Sequence, residues 1–270
     1  MKRFLLFAFI IFSIDAAAQQ KEGRIVYERT MQLPVRNFTN LDPDVAKQIP
    51  KSRTDQYELL FANNQCLWQF LPRAEDEGGE QTFTGGGGGV VLRFAGGANE
   101  VSFCDFTKGT RVDQREIMDR SFVVTDSIKS VEWKMTEETK TILDHTCRKA
   151  TTSRVMTRTQ MSMENGEIKR TPIHDTAEVV AWFTTDIPVP IGPEYQGQLP
   201  GAILELDIAN GQIVYKAQEI ATQVNTKKIK APKEGKKVTA EEFAAEREKL
   251  LAEMQENMRN GGGNFRIRMQ

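Results

Sequence analysis

The stretch GPEYQGQLPGAILELD, Gly192 to Asp207, constrains this chain more than any other, because it first forbids regular structure and then demands it. Pro188, Pro190 and Pro193 each fix φ and remove a backbone donor, so residues 186–192 cannot sit inside a sheet ladder and must cross between strands. At Leu199-Pro200-Gly201-Ala202, proline followed by glycine predicts a type II turn, with positive φ at Gly201. The chain then alternates apolar and polar residues, and Asn210-Gly211 predicts a type I′ hairpin. Counting outward from that turn pairs Ile208 with Ile213, Leu206 with Tyr215 and Leu204 with Ala217 on one face, and Glu205 with Lys216 on the other. On this reading the corner sets the register of a hairpin and contributes no side chain to chemistry.

The same two-residue period runs through most of the chain. Ile25, Tyr27, Met31 and Leu33 alternate with polar neighbours, and only Arg29 interrupts the apolar face. In YELLFANNQCLWQF the Asn63-Asn64 turn places Phe61 opposite Cys66, Leu59 opposite Trp68 and Tyr57 opposite Phe70, which points Cys66 into the core. Further strands are expected over 90–94, 100–106, 121–124, 131–135, 141–152 and 177–185, the last apolar on both faces and suited to a covered, central position. The fold class is therefore mainly β: a curved antiparallel sheet, or a sandwich or half-barrel, with one C-terminal helix. Thr239 and Glu242 form a capping box ahead of Phe243, Leu250, Met254 and Met258, which share one helical stripe over 239–260 until Gly261.

Between these elements the pattern dissolves. Residues 73–89 read as a glycine-rich flexible loop within one β domain spanning 19–226. The Gly85–Gly89 run lacks the lysine followed by serine or threonine that a phosphate cradle needs. KKIKAPKEGKK reads as a basic, solvated linker over 227–238, and 261–270 as a flexible tail.

Lys2 and Arg3, a mostly apolar run from Phe4 to Ile14 and Ala16-Ala17-Ala18 have the layout of a cleaved signal peptide over 1–18, so a periplasmic or secreted protein is expected. That run is too short to span a membrane. Lys2, Arg3 and Asp15 leave with it, so 36 basic and 37 acidic residues become 34 and 36, a balance that argues against a nucleic-acid partner. With 39% apolar residues the chain can build a core without staples. Cys66, Cys104 and Cys147 allow three alternative single disulfides, and their spacing excludes the usual zinc patterns.

The combination of Trp182 in a strand, Ile187-Pro188, Gly192-Pro193, Leu199-Pro200-Gly201 and Cys147 shortly before Lys149-Ala150 resembles the GLPGLI family of exported bacterial proteins. Gln198 stands where that family usually has glycine, Ala202 where it has leucine, and Asp144-His145 where glycine and an aromatic are usual. The resemblance implies export and a β-rich fold, commonly in bacteria rich in TonB-dependent uptake, and no established activity. It makes Trp182, Pro188, Gly192, Pro193, Leu199, Pro200, Gly201 and Cys147 structural positions, with no catalytic residue and no cofactor.

Function then divides three ways. The leading expectation is a non-enzymatic envelope protein that binds a partner protein or an apolar ligand on its sheet face, with a link to an outer-membrane uptake system. A hydrolase would draw its acid and base from His174 and Asp186. A Cu(I) site would draw on His145 and Cys147, with thioethers from Met156, Met161 and Met163.

Overall fold

The computed structural model describes residues 20–33, 50–72, 80–84, 91–95, 100–117, 120–164, 167–260 and 266–269. The segment read as a signal peptide, 1–18, lies outside them. In chain order the strands are β1 (Gly23–Gln32), β2 (Ser52–Ala62), β3 (Gln65–Phe70), β4 (Glu80–Thr84), β5 (Val91–Ala95), β6 (Val101–Asp105), β7 (Thr110–Ile117) and β8 (Arg120–Ser127). They continue with β9 (Lys134–Ile142), β10 (His145–Glu164), β11 (Glu167–Thr184), β12 (Ala202–Ile208), β13 (Ile213–Ala221), β14 (Lys236–Thr239) and β15 (Arg266–Met269), and the helix α1 covers Ala240–Asn260.

A 12-stranded open sheet runs in the order β14-β8-β7-β6-β3-β2-β1-β13-β12-β11-β10-β9. The mainly β class with a C-terminal helix is thus the observed one. All of its pairings are antiparallel except β14 with β8. Two sheet faces carry core. One packs Ile25, Tyr27, Leu59, Phe61, Cys66, Cys104, Cys147, Ile187 and Leu204, and continues into Val179, Phe183, Leu199 and Leu206. β3 and β10 stand six places apart in the sheet, about 29 Å if flat, so a cluster holding both Cys66 and Cys147 requires strong curling. The opposite face packs Leu60, Leu67 and Phe103 under Ile229.

Both hairpin turns follow the residue chemistry. Asn63 and Asn64 take φ of 53° and 58°, and the ladder pairs Phe61 with Cys66, Leu59 with Trp68 and Tyr57 with Phe70. Asn210 and Gly211 take 52° and 84°, with Ile208 opposite Ile213 and Leu206 opposite Tyr215. The ladder stops before Leu204 and Ala217, contrary to expectation. The start of β12 is held elsewhere: Ile203 donates its N–H to the Ile191 carbonyl at 2.8 Å and accepts the Tyr27 hydroxyl at 2.7 Å, while Ala217 pairs with Tyr27.

The corner also differs in mechanism. Gly201 does not adopt positive φ, so no type II turn forms there. Glycine is required for another reason: a Cβ at this position would lie 2.0 Å from the Thr184 carbonyl oxygen. Residues 187–191 double back on the start of β12, and Gly192 likewise lets the backbone pass against Ile203, 2.6 Å from where a Cβ would be.

Three segments read as loop or linker contain strands. β4 lies inside the glycine-rich stretch and pairs with β5, and β15 lies in the tail and pairs with β5 from the other side. Within the lysine-rich linker, the isolated apolar residues Ile229 and Val238 are buried, and β14 adds to the edge of β8. Short apolar signals flanked by glycine or lysine carry too little periodicity to declare a strand. The capping box forms as spaced: the Thr239 N–H donates to Glu242 Oε2 at 2.8 Å and the Glu242 N–H to Thr239 Oγ1 at 3.2 Å. Phe243 and Leu250 dock α1 on Phe122 and Val124, and the side chains of Met254 and Met258 lie outside those described.

Candidate functional site

The curled face carries a row of polar and aromatic side chains beside its apolar core. Alternation from Tyr27 puts Arg29 on this face, alternation from Leu59 puts Tyr57, Asp55 and Arg53 there, and Cys66 brings Trp68. Arg111, Asp113 and Arg115 follow on β7. Of these, Arg29, Tyr57, Trp68, Arg111, Asp113 and Arg115 floor a cavity of about 690 Å³, within the size range of small-molecule sites.

Its walls come from elements far away in sequence. Ala240 and Phe243 at the start of α1 close one side, and Glu194, Tyr195, Gln196 and Gln198 from the corner close the other. Besides leading into β12, the corner therefore also lends side chains to this cavity. Gln198 ties the corner to the strand exit at 129–131, accepting the Val131 N–H at 2.9 Å and donating to the Lys129 carbonyl. Tyr195 packs edge-on against Trp133, with ring centroids 5.2 Å apart.

Asp55, Asp113 and Glu194 are each engaged by neighbouring donors. Asp55 takes Arg29 and Arg53, each at 2.7 Å. Asp113 takes Arg111 at 2.8 Å and Arg115 at 3.0 Å. Burial alone would raise the Asp113 carboxyl, but the Arg111 and Arg115 guanidiniums outweigh it and hold the group below the ordinary aspartate range. Glu194 accepts the Arg154 guanidinium and, at 2.8 Å, the Tyr215 hydroxyl. Donors are left over. Among the described residues, the buried Arg29 Nε and Tyr57 hydroxyl have no hydrogen-bond partner. Burial pushes the phenols of Tyr57 and Tyr215 well above their usual range, so both remain hydroxyl donors at neutral pH.

Aromatic faces complete the floor. Trp68 stacks on Tyr57 at 5.0 Å and 14°, meets Tyr215 edge-on at 5.9 Å, and the Arg29 guanidinium lies 4.9 Å from the Tyr57 ring centroid. The lining thus mixes charged side chains with an aromatic platform and apolar side chains such as Ile128 and Phe243.

The residues singled out from sequence lie elsewhere. Leu199, Pro193, Gly192 and Gly201 are buried in or under the corner and Pro200 is exposed. Pro188 is half-buried, and half-buried Trp182 carries Lys140 over its ring at 4.3 Å. Cys147 is fully buried, donates to the His145 carbonyl at 3.6 Å, and burial pushes its thiol up to about 11, so it stays protonated and unreactive.

His174 and Asp186 are not brought together: His174 pairs with Thr157 along β10, ten residues and about 33 Å of strand before Thr184. Asp186 instead meets His145 Nδ1 at 3.1 Å on the surface. Nine residues of one strand, about 30 Å, separate Cys147 from Met156. Met161 and Met163 fall where side chains are not described, and among the described residues no three His, Cys, Asp or Glu side chains group as a metal site.

Arg29 was visible in the sequence only as an interruption of an apolar face. The rest of the floor had no local signature, since strand polarity reads as solvent exposure until the covering elements are known.

Residues 133–205, from Trp133 through the corner into β12, match the family described as "Protein of unknown function (Porph_ging)". Among curated proteins none matches. Two crystal forms of PNGF-II are similar in structure. The P21 form is 16% identical over 85% of this chain and 34% of that one, with a TM-score of 0.48. The C2 form is 15% identical over 83% and 32%, with the same TM-score. This chain spans about a third of the length of those proteins.

Proposed function

We propose that this protein is a non-enzymatic binding module whose ligand is a small molecule seated in the cavity between the corner and α1. The observation that carries this reading is the pair of buried donors, Arg29 Nε and the Tyr57 hydroxyl, left without partners among the described residues while Asp55, Asp113 and Glu194 are already engaged. A buried donor without an acceptor costs roughly 1–3 kcal/mol, a cost a ligand oxygen would remove. The complement of spare donors on an aromatic platform is an acceptor-rich group, a carboxylate or phosphate, attached to a planar or apolar body that lies against Trp68. Such a ligand adds an anionic group to the apolar body expected from sequence.

We further assign the chain to the exported GLPGLI-type proteins, on the Cys147 and Trp182-to-Gly201 combination of residues and the layout of residues 1–18. Residues 133–205, which match a family of unknown function, include that combination.

Titration of the full chain from Gln19 onward with benzoate, phenyl phosphate and their uncharged alcohols, read by tryptophan fluorescence and calorimetry, tests the binding reading. Saturable binding of an anion, weakened at least fivefold by Tyr57→Phe and absent for the alcohols, is expected. Binding that ignores Tyr57→Phe, or no saturable response to any of the probes, removes the cavity as the site.

A further inference from the structure

Cys66 and Cys104 are direct Cα partners on β3 and β6, which lie side by side in the sheet. Both side chains point to the curled face, and both are fully buried. Cys147 lies on β10 opposite Lys140. Of the three disulfides that the sequence allows, ladder register favours one.

We propose that Cys66 and Cys104 are a redox modification site, oxidised to a cross-strand disulfide that is strained and therefore easily reduced. Direct antiparallel partners have Cα atoms about 4.5–5.5 Å apart, inside the disulfide range. The strain follows from the phase of the ladder. The Phe106 N–H donates to the Asn64 carbonyl at 2.9 Å, and two residues further along each strand the same phase returns at Cys66 and Cys104. They therefore form a hydrogen-bonded pair, the wider of the two kinds, with Cβ atoms near 5.5 Å. A disulfide needs these at about 3.5–4.5 Å, so closing the bond pulls the strands out of their relaxed geometry and raises its tendency to be reduced.

The chemistry is thiol–disulfide exchange with a low-molecular-weight disulfide such as glutathione disulfide. The Cys104 thiolate attacks one sulfur of the oxidant, forms a mixed disulfide and expels one thiolate. The Cys66 thiolate then attacks the Cys104 sulfur, forms the protein disulfide and expels the second. Two protein thiols are oxidised, one external disulfide becomes two thiols, and the two protons pass through solvent to the leaving thiolates. The neighbouring Cys66 thiol holds the Cys104 thiol below its ordinary value, with Arg111 acting in the same direction, which suits Cys104 to the first attack. Since neither sulfur is exposed, exchange proceeds through local opening or during folding.

The test is oxidative refolding of the full chain from Gln19 onward in glutathione disulfide, followed by alkylation and peptide mapping. Most molecules are expected to carry a peptide linked through Cys66 and Cys104, with Cys147 alkylated. Roughly a tenfold excess of reduced glutathione is then expected to remove most of that link while the circular dichroism of the sheet persists. Protein folded under reducing conditions and then exposed to glutathione disulfide should acquire the same link, as should Cys147→Ala. A link to Cys147, three alkylated thiols after either treatment, or a Cys66–Cys104 link that survives reduced glutathione overturns the proposal.

Discussion

Replacing Tyr57 with Phe removes one oxygen atom, and the structure gives the sign of its effect by comparison with Tyr27→Phe. The two tyrosines face each other across β1 and β2, and both are buried. The Tyr27 hydroxyl donates to the Ile203 carbonyl at 2.7 Å, linking β1 to the start of β12. Its removal sacrifices that bond and strands a buried carbonyl, a loss of about 1–3 kcal/mol. Tyr57 makes no such bond among the described residues, and its ring contacts with Trp68 at 5.0 Å, with Phe70 at 5.7 Å and under Arg29 survive the change. Tyr57→Phe should therefore leave the ligand-free protein unchanged or stabilise it by up to about 1 kcal/mol. The gap between the variants is about 2 kcal/mol. Urea unfolding at neutral pH, compared at equal m-values, measures it. If Tyr57→Phe loses as much stability as Tyr27→Phe, the Tyr57 hydroxyl has a protein partner and the case for a donor-rich cavity fails.

Two further outcomes follow from the same coordinates. Gly201→Ala should cost about 3 kcal/mol or more, because its Cβ would sit 2.0 Å from the Thr184 oxygen. Gly211→Ala, at φ 84° with open space around it, should cost only about 1–2 kcal/mol; equal losses in thermal denaturation would contradict close approach as the reason for Gly201. Stability should also fall as pH rises from about 9 to about 11, since the folded state keeps the Cys147 proton that the unfolded chain releases. The Cys147 share is about 2–3 kcal/mol, and Cys147→Ala should flatten the stability profile in that window; an unchanged slope would show that the thiol is not desolvated.

Much of the local structure was legible before any coordinates. The Asn63-Asn64 and Asn210-Gly211 turns and the Thr239–Glu242 cap depend on residues within a few positions of one another, and each formed as spaced. Pro200-Gly201 was legible as a corner but misread in mechanism, because a dipeptide preference for positive φ says nothing about a carbonyl arriving from Thr184. The strand in the lysine-rich linker was hidden for a related reason. Val238 is one apolar residue among charges, and it becomes a strand residue because Val124 of β8 is beside it.

The candidate site was the least legible part. The sequence alone determined that this chain alternates, turns and caps where it does, because those choices are made by φ preferences and side-chain reach over a few residues. Tertiary structure alone decided that β1 lies between β2 and β13, that β7 continues the same curled face, and that the corner and α1 close over it. That order brings Arg29, Tyr57, Asp113 and Glu194 around one cavity, and it depends on ladder pairing between distant segments, which no local period encodes.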